Sequence, residues 1–307
     1  MTPANTHPMR QGRRRRSSLR RAEQRFVAIC LVPAVVFFAI FRFYPLGYAF
    51  WMSLHDWHLI RPHQQFVGSQ NYQSILSDQL FHQVVGNTLY FAAAASIGLT
   101  LLSFLVALML NPIGRGSTLF QLLYFLPVMT STIAISTIWL WLFQPRFGAL
   151  NQLLGSFHLP QGTWLTAPVT AMPSIILMSV WAGLGFYVII FLAGLRGIPT
   201  MYYEAAAIDG ASPLRIIRDI TLPLLRPVIT FVLVTTIIGG FNVFQQIYLM
   251  TQGGPLNATR VLALHIYNTA FKDLNMGQAA SMAFVLFAIV SVFTLVQLRL
   301  RRVDWEL

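Results

Sequence analysis

The sequence predicts an all-α, polytopic membrane protein with about six transmembrane helices, and three observations predict it. Apolar runs of about 20 residues recur at 26 to 47, 86 to 110, 118 to 143, 172 to 195, 228 to 250 and 278 to 298. Each can cross a hydrocarbon core of roughly 30 Å as a helix rising 1.5 Å per residue. A 56% hydrophobic share, only 10% charged residues and a mean hydropathy of +0.62 lie outside the range of soluble domains. The runs are also continuously apolar, whereas the strands of a membrane barrel would alternate with period two.

Charge placement orients these spans. A net charge of +12 could suit a nucleic-acid partner, but the basic residues are distributed as a topology signal and no nucleic acid is read from them. Sixteen Lys and Arg lie before the first run, in the Arg115 loop, in the loop between the fourth and fifth runs that contains the 199–227 segment, and after the last run. The other three loops hold four, namely Arg61, Arg146, Arg260 and Lys272. The positive-inside rule then places both termini and the 199–227 segment on the cytoplasmic side of a multi-pass membrane protein.

Residues 1–25, with Arg13 to Arg16 in a row, read as a basic cytoplasmic tail that favours anionic lipid. The first span is too long for a signal-peptide core and ends in Tyr44-Pro45-Leu46 without a small-x-small site, so it reads as an uncleaved anchor. Arg42 is the one charge within a span; flanked by Phe41, Phe43 and Tyr44, it reads as a snorkelling belt residue, with anion or substrate binding as the alternative. Cys30, the only cysteine, allows no disulfide within the chain.

Pro127 falls inside the third span, where a kink is expected, and Trp139 and Trp141 near its outer end read as an interfacial belt rather than a sugar-stacking platform. Gly183, Gly185 and Gly194 in the fourth span read as close helix packing. The 199–227 segment, too polar to stay in a membrane, reads as two short helices. The first is expected to use Thr200 as N-cap, to carry Glu204 in its first turn and to end at Gly210. The second is expected to start from Ser212 as N-cap with Pro213 in first position. In the fifth span, Asn242, Gln245 and Gln246 fall at helical spacing on one broad face, which must meet another helix or a water-filled substrate path. Residues 26–300 thus form one membrane domain, followed by a short cytoplasmic tail, 301–307.

The order Glu204-Ala205-Ala206, Asp209-Gly210-Ala211, then Ile220-Thr221-Leu222-Pro223 resembles the EAA loop of binding-protein-dependent ABC importer permeases. Phe66-Val67-Gly68, Asn71, Asn87-Thr88, Asn151 and Thr251-Gln252-Gly253-Gly254-Pro255 extend the likeness to the carbohydrate-type members, among them the maltose and glycerol-3-phosphate permeases. The resemblance implies that Glu204, Ala205, Ala206, Asp209, Gly210, Ala211, Leu222 and Pro223 couple the permease to an ATPase. It further implies a second, different permease, an ATPase dimer that binds ATP and Mg, and an extracytoplasmic substrate-binding protein. No cofactor is expected in this chain. Ile217 stands where relatives carry an aromatic, Asp219 where they carry a basic residue, and Gln245 where many carry Asp.

Other classes fit less well. An ion-coupled secondary transporter usually holds a carboxylate or His at mid-membrane, and these spans contain none, although backbone carbonyls could serve Na⁺. An intramembrane enzyme would need a nucleophile with a base or a metal-ligand set there. The chain also lacks the Gly-x-x-x-x-Gly-Lys-Ser/Thr sequence, so ATP would be hydrolysed elsewhere. A disaccharide, polyol, amino sugar or glycerophosphate would each suit the pattern, an anion less so because no basic residue lies deep in the spans.

Overall fold

The computed structural model describes residues 26–27, 29–61, 64–112 and 117–300. The basic run at 13–16, the Arg115 loop and both tails lie outside the described residues. Four helices are long and apolar enough to cross a membrane: α1 (Ile29–Ser53), α3 (Gln79–Leu110), α7 (Pro168–Arg196) and α13 (Met276–Leu300). A short helix, α2 (Gln70–Ser77), and a two-stranded ribbon of β1 (His55–Asp56) and β2 (Gln65–Phe66) lie between the first two.

The third and fifth apolar runs do not form the single straight spans expected of them. The third divides into α4 (Ser117–Met129) and α5 (Thr132–Leu142), which meet at 96°. Pro127 weakens the last turn of α4, and Ser131 restarts the chain as N-cap, its hydroxyl accepting from Ile133 N–H at 3.3 Å. The break therefore falls just after the expected kink. A short helix, α6 (Ala149–Ser156), follows on the side that the charge placement predicts to be outer, opposite the predicted inner side that carries the 199–227 segment.

The fifth run is longer at its inner end and shorter at its outer end. It is preceded by α8 (Thr200–Ile208) and α9 (Pro213–Leu224), bends by 71° at Leu225, and continues as α10 (Arg226–Phe241). A second interruption at 242–244 separates α10 from α11 (Gln245–Met250), and α12 (Leu262–Phe271) follows the outer turn.

Helix α3 is the central post. At its inner end Ala107 and Leu110 pack with Leu195, Ile198 and Leu225. At its outer end Asn87 Nδ2 donates to the carbonyls of Asn257 (2.8 Å) and Arg260 (3.0 Å), and Thr88 Oγ1 accepts from Leu262 N–H at 2.8 Å. The glycine reading of the fourth span holds in detail. A Cβ on Gly185 would fall 1.9 Å from the Tyr124 carbonyl oxygen, and one on Gly194 would fall 2.8 Å from Leu225 and Val228 side-chain atoms. Trp139 corrects the belt reading: it packs inward on Phe143 and Trp181, with ring centroids at 5.0 and 5.5 Å. Trp141 is 54% exposed, as the belt reading requires.

Candidate functional site

Two places carry the predicted functional residues, and helix α10 joins them. At its inner end lies the helix-turn-helix of α8 and α9. Ala211 N–H donates to Ala206 O (2.9 Å) and Gly210 N–H to Ala207 O (3.1 Å), with Gly210 at φ +67°. This is the Schellman closure, in which the left-handed residue allows both bonds and glycine adopts it without a Cβ penalty. No atom lies within 4 Å of where a Gly210 Cβ would stand, so nothing within the chain demands its smallness. Ser212 is the N-cap of α9, its hydroxyl accepting from Arg215 N–H at 3.4 Å, with Pro213 in first position.

Two local expectations are corrected here. Pro199, not Thr200, occupies the N-cap of α8, and it has no side-chain acceptor to offer. Because the helix starts at Thr200, Glu204 lies past the first turn and loses the stabilisation that the free N–H groups give an early carboxylate. Glu204, Ala205, Asp209 and Gly210 are exposed, Ala206 is buried, and Ala211, Leu222 and Pro223 are half-buried. Asp219 pairs with Arg215 (3.5 Å) and Arg218 (3.9 Å), all well exposed. Beside the Gly210 turn, Ile208 is 88% and Leu214 77% exposed. These apolar knobs at the tip of an otherwise polar loop were not singled out in the sequence, where only their position either side of Asp209-Gly210 could have marked them.

The outer end of α10 is where the amides lie. The chain leaves helical geometry over Asn242 to Phe244, with Phe244 at φ −142°, ψ −59°. Asn242, Gln245 and Gln246 are therefore not on one face of one helix: Asn242 closes α10, and the two glutamines open α11. Asn242 Nδ2 donates back to Ile238 O at 2.8 Å, supplying a donor at the break. Asn242 and Gln245 are exposed and Gln246 half-buried. Just before the break, a Cβ on Gly240 would stand 2.7 Å from Ala92 Cα, so α10 crosses α3 in backbone contact.

Aromatic rings collect at this break. Phe244 stacks on Tyr248 (centroids 5.4 Å, 18° between planes), and Tyr267 of α12 contacts both at 5.3 and 5.5 Å. The i, i+4 spacing of Phe244 and Tyr248 was legible, but the arrival of Tyr267 is a tertiary event. Farther out, a cavity of ≈ 360 Å³ opens between Phe143, Gln144, Pro145, Thr166, Thr251 and Pro255. No group of three or more His, Cys, Asp or Glu suited to a metal is found among the described residues.

With this geometry in hand, the comparisons are decisive about family. The family profile described as "Binding-protein-dependent transport system inner membrane component" matches residues 99–304. The chain belongs to this family. It is a permease subunit, a transport component integral to the membrane, of an ABC importer. It is 32% identical over 273 residues to a probable ABC transporter permease protein, YurN, of Bacillus subtilis (strain 168), covering 88% of this chain and 93% of that one. It is 32% identical over 277 residues to the multiple sugar-binding transport system permease protein MsmF of Streptococcus mutans, covering 90% and 94%. The permease fold is shared with a chain of a bacterial alginate ABC transporter solved with an alginate pentasaccharide-bound periplasmic protein. That match has a TM-score of 0.79 at 23% identity and covers 92% of this chain and 95% of the other.

Proposed function

We propose that this permease forms the translocation path for a sugar or sugar-like solute across a bacterial inner membrane, with both termini in the cytoplasm. ATP and Mg would be bound by a separate ATPase dimer, which Glu204 to Ala211 together with Leu222 and Pro223 engage. A second, different permease completes the path, and an extracytoplasmic binding protein delivers the solute. The observation that carries this reading is the continuity of one element: the exposed turn at Gly210 leads through α9 and the 71° bend into α10, whose far end is the broken, amide-bearing segment.

The polar break suits a neutral carbohydrate. Asn242, Gln245 and Gln246 supply donors and acceptors, while the faces of Phe244, Tyr248 and Tyr267 provide the apolar surface on which the C–H side of a sugar ring packs. Backbone outside a helix is tolerated at membrane depth where it lines a water-filled route. The sugar named for MsmF supports the same class for this chain.

ATP closure would act by stabilising one of two arrangements of the permease pair, and it can shift that equilibrium only by its differential affinity for the two. The test is uptake by the reconstituted complex. Asn242→Leu combined with Gln246→Leu is expected to change the half-saturating solute concentration or the maximal rate while the permease still assembles. Unchanged kinetics in that double variant would remove these amides from the path.

A further inference from the structure

The coupling element contains a widened turn with an identifiable cause. Leu222 N–H donates to Ile217 O, five residues back, so that Ile217–Thr221 form a π-turn inside α9. Pro223 lies two residues beyond it. A proline has no N–H to give, and its ring presses on the carbonyl four residues earlier, here that of Asp219. Spacing the turn at i→i+5 moves that carbonyl aside. The first span repeats the arrangement: Ala39–Phe43 form a π-turn, Tyr44 N–H donates to Ala39 O, and Pro45 lies two residues beyond. Two unrelated segments thus widen at the same offset from a proline.

Only the turn in α9 is tied to a second helix by a side chain. Thr221 is 2% exposed, and its hydroxyl donates to Ile216 O at 3.4 Å while facing the Tyr203 hydroxyl of α8 at 3.4 Å. Both distances are long for O–H···O contacts, so each contact is weak. Just downstream, Leu225 is 1% exposed and lies under Gly194 of α7, at the point where α9 bends into α10. The order along the chain is therefore exposed tip, latched wide turn, buried pivot, membrane helix.

We propose that Tyr203, Thr221 and Pro223 are positioning residues of the coupling step. They keep Ile217–Thr221 in its wide form, so that force on the Gly210 turn swings α9 about Leu225 as a single lever onto α10. An ordinary α-helical ladder through the same residues would turn one half of α9 by about 100° relative to the other, and the tip and pivot would lose their register. This inference rests on the ATPase contact proposed above.

The experiment measures how many fold the binding protein, purified with the sugar it retains, stimulates MgATP hydrolysis by the full complex in lipid. A misfolded fraction lowers the rates with and without binding protein alike and leaves their ratio unchanged, so the ratio reads coupling alone. Pro223→Ala is expected to lower the ratio roughly tenfold, and Thr221→Val and Tyr203→Phe about threefold each. The Tyr203→Phe/Thr221→Val double variant should lose no more than the worse single one, because the two hydroxyls act as one contact. Unchanged ratios in all three single variants, or multiplying losses in the double variant, would overturn the latch. Failure of the underlying coupling assignment has a different signature, a full ratio in Gly210→Val.

Discussion

The outer loops and the inner 199–227 segment use their polar groups in opposite ways. On the outer side, side-chain amides are consumed by backbone. Asn151 Nδ2 donates to Pro145 O and Gly162 O, and its Oδ1 accepts from Gly162 N–H and Trp164 Nε1, all at 2.8–3.0 Å. Asn71 bridges the carbonyls of Ser53 and His55, and Asn87 those of Asn257 and Arg260. Thr259, fully buried, donates to Gly254 O and meets Thr251. On the inner side, α8 and α9 make few such bonds and present Ile208, Leu214 and a glycine in open space. A loop that satisfies its own backbone is a frame. A loop that leaves apolar knobs exposed offers them to a surface outside the chain, which under the proposed function is the ATPase.

Substitutions should sort along this division, the largest losses of stability falling on the outer side. Asn151→Ala leaves three half-buried backbone groups and an indole N–H without this partner, at about 1 kcal/mol for each bond. The purified permease in detergent should then unfold several degrees lower, and an unchanged midpoint would show that the outer loops are not held as described. The corresponding loss at the inner side, Ser212→Ala, removes one cap worth about 0.5–2 kcal/mol. A larger loss there than at Asn151 would invert the comparison.

Much of this division was legible in the sequence. The inner turn could be read because capping is local: Ser212, Pro213 and Gly210 stand where short-range sterics require them. Local reading failed at Thr200, where proline took the cap, and consequently at Glu204. The outer clasps could not be read, because Asn87 and Asn257 are 170 residues apart and only folding brings them together. The amides of the fifth run misled for another reason. Hydrophobic length favours one continuous helix, and it outweighs the local breaker signal of Gly239-Gly240 and Asn242 at the break over 242–244. Pro127 signalled its break because proline carries its own geometric defect.

A smaller effect concerns pH and again belongs to the outer frame. His265 of α12 is 5% exposed, and burial, reinforced by the Arg260 charge, lowers its pKa below 6.5; Asp78 and Asp273 oppose the shift. A depressed folded value means that the unfolded chain takes up the proton first. Stability is therefore full above the unfolded pKa and declines as pH falls from there through the folded value. Thermal unfolding of the permease should move to lower temperature between pH 7.5 and 5.5, and His265→Gln should flatten that dependence. An equal slope in His265→Gln would assign the pH effect to other groups.

If the exposed inner turn transmits ATP hydrolysis to α10, as proposed, a substitution at Gly210 should break the link. At φ +67° a β-branched side chain costs about 1 kcal/mol or more, and it would also enlarge a tip that, under the proposed function, enters the ATPase. The measurement is stimulation of MgATP hydrolysis by the binding protein in the reconstituted Gly210→Val complex, alongside co-purification of the ATPase with the inserted permease. Stimulation and transport should be lost, with insertion retained and the binding protein still holding its sugar; Glu204→Ala, lacking a first-turn role, should only weaken both. Normal stimulation with normal ATPase retention in Gly210→Val would contradict the account.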